Sequence, residues 1–419
     1  MNQNIGIVGL GYVGAVSAAC LARLGHRVYG LELDKQKMER LQAGQAPFFE
    51  PGLEETLKAE LAGGRLSVHQ SMDELIDQLD IILICVGTPS RADGSHNYGQ
   101  LARVFEDLAQ RLRAPGRPLL VAVRSTVTPG TTASLGQQFF SGVTRARLAY
   151  NPEFLREGTA IKDFFEPALV VVGADQDEAA EQLLSVYADV NAPKLRMEVK
   201  AAEMVKGVCN AFHALKIAFA NETGSLAARC GVDPEQLMKV ICADTRLNIS
   251  PVYLKPGFAF GGSCLPKDVR ALNYLAETNN CQTPLYHAIL PSNDEHLNRM
   301  VERVRACSPR RVGIVGLSFK SQTDDLRESP ALFLAAKLAA EGFTLRAFDP
   351  DINPALLHGA NLATLVQELP AGKAVLTDSL DELMEWADCL VLTKRLPPEL
   401  EQRLSQAAQP LINVSRVTA

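Results

Sequence analysis

The stretch NIGIVGLGYVG at residues 4–14 constrains the fold more than any other part of the chain. A short run of Ile and Val leads straight into Gly9, Gly11 and Gly14, spaced G-x-G-x-x-G, and a helical pattern follows. Gly9 permits a tight turn, Gly11 lets backbone approach a pyrophosphate, and Gly14 lets the helix pack on the strand. The helix start then offers unpaired N–H groups and the positive end of its dipole to an anion. Glu32 closes the second apolar run, HRVYGLELD, about 20 residues on. A carboxylate there binds both ribose hydroxyls and repels a 2′-phosphate. The pattern predicts an NAD site, with the neighbouring Lys35 and Lys37 weighing against so clean a preference.

Further short runs, DIILICVGTPS, PLLVAVRSTV and ALVVVGA, alternate with Ala- and Leu-rich helical stretches. Such alternation predicts an α/β, doubly wound sheet covered on both faces, here over residues 1–195. From residue 196 the texture changes. VKAAEMVKGVCNAFHALKIAFANETGSLAARCGV reads as one long helix ended by Gly231. Helical pattern continues to about residue 300, broken by the loop NISPVYLKPGFAFGGSCLPKD. Residues 301–419 repeat the first section: RRVGIVGLSFK echoes NQNIGIVGLGY, FTLRAFDPD echoes HRVYGLELD, and ADCLVLTKR echoes LDIILICVG. The architecture expected is two Rossmann-like domains joined by a long central helix and a helical middle domain. GLSFK lacks the pyrophosphate glycines, so a second dinucleotide is not expected to bind there in the same way. Lys320 and Arg327, in the polar loop FKSQTDDLRESP, are either phosphate contacts or part of a solvated charged loop.

Composition narrows the function classes. A chain of 419 residues exceeds one compact core. Its net charge of −6, without a basic run, argues against nucleic acid and against an anionic membrane as partner. No apolar run is long enough to cross a bilayer, and no signal peptide precedes the first strand. The nine cysteines are dispersed, with no metal-ligand spacing. Reduced thiols, a cytoplasmic location and no metal are the expectations.

One cysteine stands apart. In FGGSCLPKD, Cys264 follows Gly261 and Gly262, which let backbone come close to a ligand. Lys267 and Asp268 come within one helical turn of it, and a nearby cation favours a thiolate. Lys206, Asn210 and His213 follow i, i+4, i+7 spacing on the long helix. They form either a polar site able to bind an oxyanion or a solvent-exposed stripe. In NPEFLREGTAIKD, Glu153 and Glu157 lie four apart and are expected on one helical turn, as a base and its neighbour or as an exposed acidic helix start. Ser125 and Thr126 end a strand at the edge where such sheets bind ligands.

GLGYVG, CVGTPS, RSTVTPG, NPEFLREG, EMVKGVCNAFHALKIAFANE, FGGSCLPKD and FKSQTDDLRESP, in this order, resemble the UDP-glucose/GDP-mannose dehydrogenase family over nearly the whole chain. That resemblance implies two Rossmann-like domains joined by a long helix, and dimers or larger assemblies built on the central helices. It implies oxidation of a sugar-nucleotide C6 alcohol to a carboxylate by two NAD and one water. Cys264 then corresponds to the nucleophile that carries a thiohemiacetal and a thioester. Lys206 and Asn210 correspond to oxyanion stabilisers. Asp268, with a water or Lys206, corresponds to the group that helps remove the alcohol proton. Glu157 corresponds to the hydrolytic base, its water shared with Thr126, and Glu153 to a further carboxylate of the site.

The cofactor set implied is Gly9, Gly11, Tyr12, Val13, Gly14, Glu32, Lys37, Thr88, Thr126, Lys267 and Arg327. The substrate set is Glu153, Phe154, Leu155, Lys206, Asn210, His213, Asn248, Tyr253, Lys255, Phe260, Gly261 and Lys320. The loop LNISPVYLKPGFAFGGSCLPKD resembles the GDP-mannose branch more than the UDP-glucose branch, with a 2-acetamido sugar nucleotide as a third alternative. Lys255 stands where an arginine is familiar, which removes a planar fork for phosphate. Asn413 stands where an aspartate is common.

Overall fold

The computed structural model describes residues 2–93, 95–250, 257–262, 264–319, 321, 323–355, 357 and 359–415. Its contacts divide the chain into two units, Met1–Ala214 and Leu215–Ala419.

The first unit is built on the strands β1 (Asn4–Val8), β2 (Arg27–Leu31), β3 (Leu66–His69), β4 (Ile81–Ile84), β5 (Leu119–Val123), β6 (Ala146–Tyr150), β7 (Val170–Gly173) and β8 (Lys194–Met197). They form one sheet in the order β3-β2-β1-β4-β5-β6-β7-β8. The six from β3 to β6 pair in parallel; β7 meets β6 antiparallel and carries β8 parallel to itself. The inner strands are buried almost without interruption, because successive side chains point to opposite faces and both faces are covered. Ile81 and Leu83 of β4 join a core with Val16, Ala19 and Cys20 of the helix Tyr12–Arg23. Ile82 and Ile84 face the other way, onto Leu101, Phe105 and Leu108 of the helix Gly99–Leu112. Fully burying one such side chain contributes about 1.5–3 kcal/mol, so a strand buried on both faces is fixed by packing more than by propensity.

The second unit holds β9 (Arg311–Val315), β10 (Thr344–Phe348), β11 (Cys389–Leu392) and β12 (Leu411–Asn413), all parallel in the order β10-β9-β11-β12. Val312 and Ile314 pack with Leu332 and Ala335 of the helix Pro330–Ala340, while Val315, Leu390 and Leu392 pack with Leu383. The expected α/β class with two doubly wound modules is what folds.

The central helix runs from Val199 to Arg229, 31 residues, about 46 Å at the usual rise. It begins in the first unit and ends in the second. Gly231, at φ 72°, closes it: its N–H donates to Ala228, and Val232 donates to Ala227. Among the described residues no helix is long and apolar enough to cross a membrane, and no group of three or more His, Cys, Asp or Glu stands ready for a metal ion.

Candidate active site

The dinucleotide cradle forms at the carboxyl end of β1. Gly9 has φ 88° and donates to the Leu31 carbonyl of β2 at 2.9 Å. A Cβ on Gly14 would stand 1.9 Å from the Gly9 oxygen, so helix and strand touch there only because no side chain intervenes. Gly11, the N-cap of the helix, has open space where a Cβ would stand, and no side chain caps its N–H groups. Glu32 accepts from Lys37 Nζ at 2.7 Å and from the Leu10 and Asp34 amides at 3.3 and 3.2 Å. Lys37 therefore pairs with Glu32, while Lys35 pairs loosely with Glu39 at 3.9 Å on the exposed side. A cavity of about 860 Å³ runs past Gly9, Gly11, Glu32, Lys37 and Gly87. An uncapped helix start, a bare Gly11 and an oriented carboxylate fit an adenosine diphosphate end of NAD. Val13 lies in the helix's first turn, half-buried. Tyr12 turns its hydroxyl to Glu50 at 2.5 Å. Thr88 donates to the Thr126 carbonyl at 2.7 Å, tying the ends of β4 and β5 together.

A second cavity of the same unit, about 620 Å³, is lined by Glu153, Phe154, Leu155, Lys206, Asn210 and His213, with Arg124, Asn151 and Tyr187 in its wall. Lys206 Nζ lies 3.0 Å from Glu153 Oε1 and 5.9 Å from the Phe154 ring centre. The other Glu153 oxygen accepts from the Leu155 amide at 2.7 Å. Asn210 and His213 lie exposed along the same helix. One expectation fails here. Residues 151–156 are irregular and 157–159 form a turn, with a helix beginning only at Ala160, so Glu153 and Glu157 do not share a helical turn. Asn151 and Pro152 are buried, and the proline disfavours helical backbone at the residue before it. Glu153 is buried against Lys206, and Glu157 is exposed.

Sequence reading missed the buried supports of this wall. Arg124, 5% exposed, donates to Asn151 Oδ1 and to the Tyr187 hydroxyl, and Tyr187 donates to Asn151 at 2.6 Å. A cation at the end of the apolar run PLLVAV was the available signal, because arginine is seldom buried without a reason. Glu203, one helical turn before Lys206, is buried and accepts from the Thr132 amide at 2.7 Å and from the Gly130 amide. It thus holds the central helix against the segment that follows Thr126.

In the second unit, Cys264 is exposed and is the N-cap residue of the helix Leu265–Thr278, its carbonyl accepting from the Asp268 amide at 2.9 Å. Lys267 and Asp268 form an exposed pair at 3.6 Å. The two glycines before Cys264 serve the protein's own packing. A Cβ on Gly261 would meet the Glu328 carbonyl at 2.3 Å, and one on Gly262, at φ 84°, would meet the Phe319 ring at 2.8 Å. Gly262 N–H donates to that Glu328 carbonyl at 2.9 Å. Asn293 clamps Phe260 from the other side, accepting from its amide at 3.0 Å and donating to its carbonyl at 2.9 Å. No local signal pointed to Asn293. Arg327 forms a two-pronged pair with Asp325; this holds its guanidinium above the usual range, with a smaller contribution from the nearby Cys264 sulfur. Asn248 is exposed and donates to the Ile241 carbonyl at 3.2 Å. Tyr253, Lys255 and Lys320 lie outside the described residues.

The second sheet repeats the loop of the first with different contents. Asp349, just after β10, accepts from the Leu317 and Ser318 amides at 2.7 and 2.8 Å, as Glu32 accepts from Leu10. Buried Lys394 pairs with Asp349 at 2.7 Å and with Asp351 at 2.8 Å.

A glycine-rich turn at the carboxyl end of an inner parallel strand, with a carboxylate at the end of the next, defines a dinucleotide-binding domain of the NAD type. Three family models match the chain. They are the NAD-binding domain of the UDP-glucose/GDP-mannose dehydrogenase family at residues 3–191, its central domain at 200–295 and its UDP-binding domain at 313–410. The chain belongs to the UDP-glucose/GDP-mannose dehydrogenase family, and it is an NAD-dependent nucleotide-sugar 6-dehydrogenase. A GDP-mannose 6-dehydrogenase of Pseudomonas syringae pv. tomato is 40% identical over 94% of this chain and 91% of its own. A crystal structure of a ternary complex of GDP-mannose dehydrogenase from Pseudomonas aeruginosa matches with a TM-score of 0.92 at 38% identity, covering 98% of this chain and 96% of that one. A UDP-glucose dehydrogenase structure from Pyrobaculum islandicum matches with a TM-score of 0.57 at 35% identity, covering 100% of this chain and 95% of that one.

Proposed function

We propose that the chain oxidises GDP-mannose at C6 to GDP-mannuronate, in two oxidations on Cys264. The observation that carries the substrate is the contrast between relatives: a TM-score of 0.92 to a GDP-mannose enzyme against 0.57 to a UDP-glucose enzyme. Sequence identity of 40% over 94% of the chain points the same way.

Bound NAD supplies the hydride acceptor twice, so one alcohol and one water yield one carboxylate, two NADH and three protons. Asp268, with a water or Lys206, helps remove the alcohol proton. The Cys264 sulfur adds to the aldehyde carbon, forming a C–S bond and an alkoxide. That tetrahedral centre is what makes a second hydride departure possible. Lys206 and Asn210 stabilise the oxyanion; Lys206 is already oriented by Glu153 at 3.0 Å and by the Phe154 ring. Loss of the second hydride leaves a thioester. Glu157, exposed in its turn, takes a proton from water, the C–S bond breaks, and the thiol is regenerated. Cys264 stands at the start of a helix, with the positive end of the dipole and Arg327 near the sulfur.

Gly9, Gly11, Tyr12, Val13, Gly14, Glu32 and Lys37 form the cofactor end, with Thr88, Lys267 and Arg327 as its further contacts. Phe154, Leu155, His213, Asn248, Phe260 and Gly261 contact the substrate. The three functional parts are residues 1–195, 196–300 and 301–419, and the protein works in the cytoplasm as a homodimer or larger homo-oligomer. Met204, Val208, Phe212, Leu215 and Phe219 are exposed at spacings of three, four and seven along the central helix. An apolar stripe of that kind on a helix supports burial against a second copy.

The test is NADH formation over a panel of GDP- and UDP-sugars with product identification. Two NADH per GDP-mannose, with UDP-glucose turned over at least tenfold more slowly, is the expected result. Preference for UDP-glucose overturns the substrate; one NADH per sugar overturns the reaction.

A further inference from the structure

Glu50 lies outside every role assigned above, yet it is only 4% exposed and is surrounded by donors. Oε2 accepts from the Tyr12 hydroxyl at 2.5 Å and from the Gly158 amide at 2.7 Å, and Oε1 accepts from the Ala160 amide at 2.8 Å. Among the described residues no cation lies within ion-pair distance of it. A buried carboxylate without a cation is costly unless donors satisfy it, and these three do so from two separate places.

The first place is the dinucleotide loop. Tyr12 opens the helix directly after Gly11, and its ring packs on Phe48 with centroids 4.9 Å apart. The second is the turn that carries Glu157. Gly158 and Ala160 are the next residue and the third residue after Glu157, so Glu50 fixes the backbone on one side of it. The other side is fixed at Arg156, whose amide and guanidinium both donate to Asp163, at 3.0, 2.9 and 2.6 Å. The Arg156 carbonyl lies 3.3 Å from the same Tyr12 hydroxyl. The exposed Glu157 therefore projects from a turn clamped at both ends, and one clamp is shared with the cofactor loop. Gly158, at φ 84°, keeps the turn in a conformation few other residues adopt.

We propose that Glu50 is a positioning residue for the hydrolytic step: it sets the Glu157 turn and, through Tyr12, ties that setting to the loop that binds the dinucleotide. The inference rests on the reading of Glu157 as the base that acts after both oxidations. It predicts a selective defect. Both oxidations proceed, and release of the acid slows.

Glu50→Gln keeps the volume but turns an amide NH₂ toward N–H donors. Its pre-steady-state course with GDP-mannose is compared with that of the wild type, with parallel intact-mass analysis of quenched samples. Expected is a burst of two NADH per site at near wild-type rate, then steady turnover slowed about 10- to 100-fold, the range for one hydrogen bond to a charged group. Glu50→Asp, which keeps the carboxylate, should recover part of the steady rate. Unchanged steady turnover overturns the proposal, and so does equal slowing of burst and steady phases. If Glu50→Gln does not fold, Glu50→Asp is read in the same way, with a smaller slowing of the steady phase; an unaltered steady phase or a loss of the burst overturns the proposal. No adduct on Cys264 in either protein overturns the thioester reading on which the proposal rests, whereas an adduct that clears from Glu50→Gln at the wild-type rate overturns Glu50's role alone, so the two failures are distinct.

Discussion

Lys206 Nζ and Glu153 Oε1 stand 3.0 Å apart, and their side chains are only 14% and 10% exposed. The pair joins the central helix to the irregular segment after β6, two elements separated by about fifty residues. Breaking a buried pair by removing one partner strands the other charge, which costs about 3–5 kcal/mol, whereas removing both is far milder. Lys206→Met should therefore lower the melting temperature, and Lys206→Met with Glu153→Gln should restore most of it. Activity should behave otherwise. Loss of an oxyanion donor lowers kcat by about 10²–10³-fold, and the double variant should stay that low. Thermal unfolding and steady-state kinetics on the three proteins check both halves.

Glu32 should govern the choice of dinucleotide. It is oriented by Lys37 and by the Leu10 amide. Glu32→Ala should raise KM for NAD about tenfold or more, with kcat little altered, because the lost hydrogen bonds are made before and during reaction alike. The same variant leaves Lys37 unpaired and should raise the NADP-to-NAD ratio of kcat/KM. An unchanged ratio counts against Glu32 as the ribose carboxylate.

Acid should destabilise the first unit through His26. Its Nδ1 lies 3.2 Å from the Gln3 amide, which donates to it, and Nε2 lies 3.0 Å from the Val186 carbonyl, to which it donates. That assignment follows from the partners and leaves no room for a second ring proton. Burial lowers the imidazole below its ordinary value of 6.5. The unfolded chain then binds the proton more readily, so stability is full above pH 6.5 and declines as pH falls below it. His26→Gln should flatten the melting temperature between pH 7 and pH 5, measured by calorimetry. A slope equal to that of the wild type contradicts the assignment.

The exposed stripe on the central helix should hold the oligomer. Val208→Glu or Leu215→Glu places a charge among Met204, Phe212 and Phe219. Light scattering after size exclusion should show a dimer or larger species for the wild type and a shift towards monomer for each variant. A monomeric wild type would refute the interface.

Much of this was legible in the sequence because it depends on local spacing. The glycine turn, the long helix with its Gly231 stop and the repeated β9–β10–β11 pattern all rest on residues close in sequence. β3, β6 and β8 escaped notice because they are short and carry Ser, His, Arg or Lys among few apolar residues, so neither alternation nor a buried run marks them. Periodicity also misled at Glu153 and Glu157, where two buried residues and the Glu50 and Asp163 clamps impose a turn. Arg124, Glu50, Glu203 and Asn293 support the site through partners 27 to 110 residues away. No local pattern encodes such pairs.

The proposed mechanism holds the oxidised sugar on the Cys264 sulfur. Burial pushes the thiols of Cys20 and Cys85 up to about 12, and both lie out of reach of substrate, whereas Cys264 is exposed. The direct measurement is rapid-quench intact-mass and peptide analysis of the enzyme turning over GDP-mannose with NAD, alongside Cys264→Ala and Cys264→Ser. A mass increase of one oxidised sugar nucleotide, mapped to Cys264, persistent in the serine variant and lacking in the alanine variant, is the predicted result. Acid produced by Cys264→Ala at near wild-type rate, with no adduct in any of the three proteins, would contradict it.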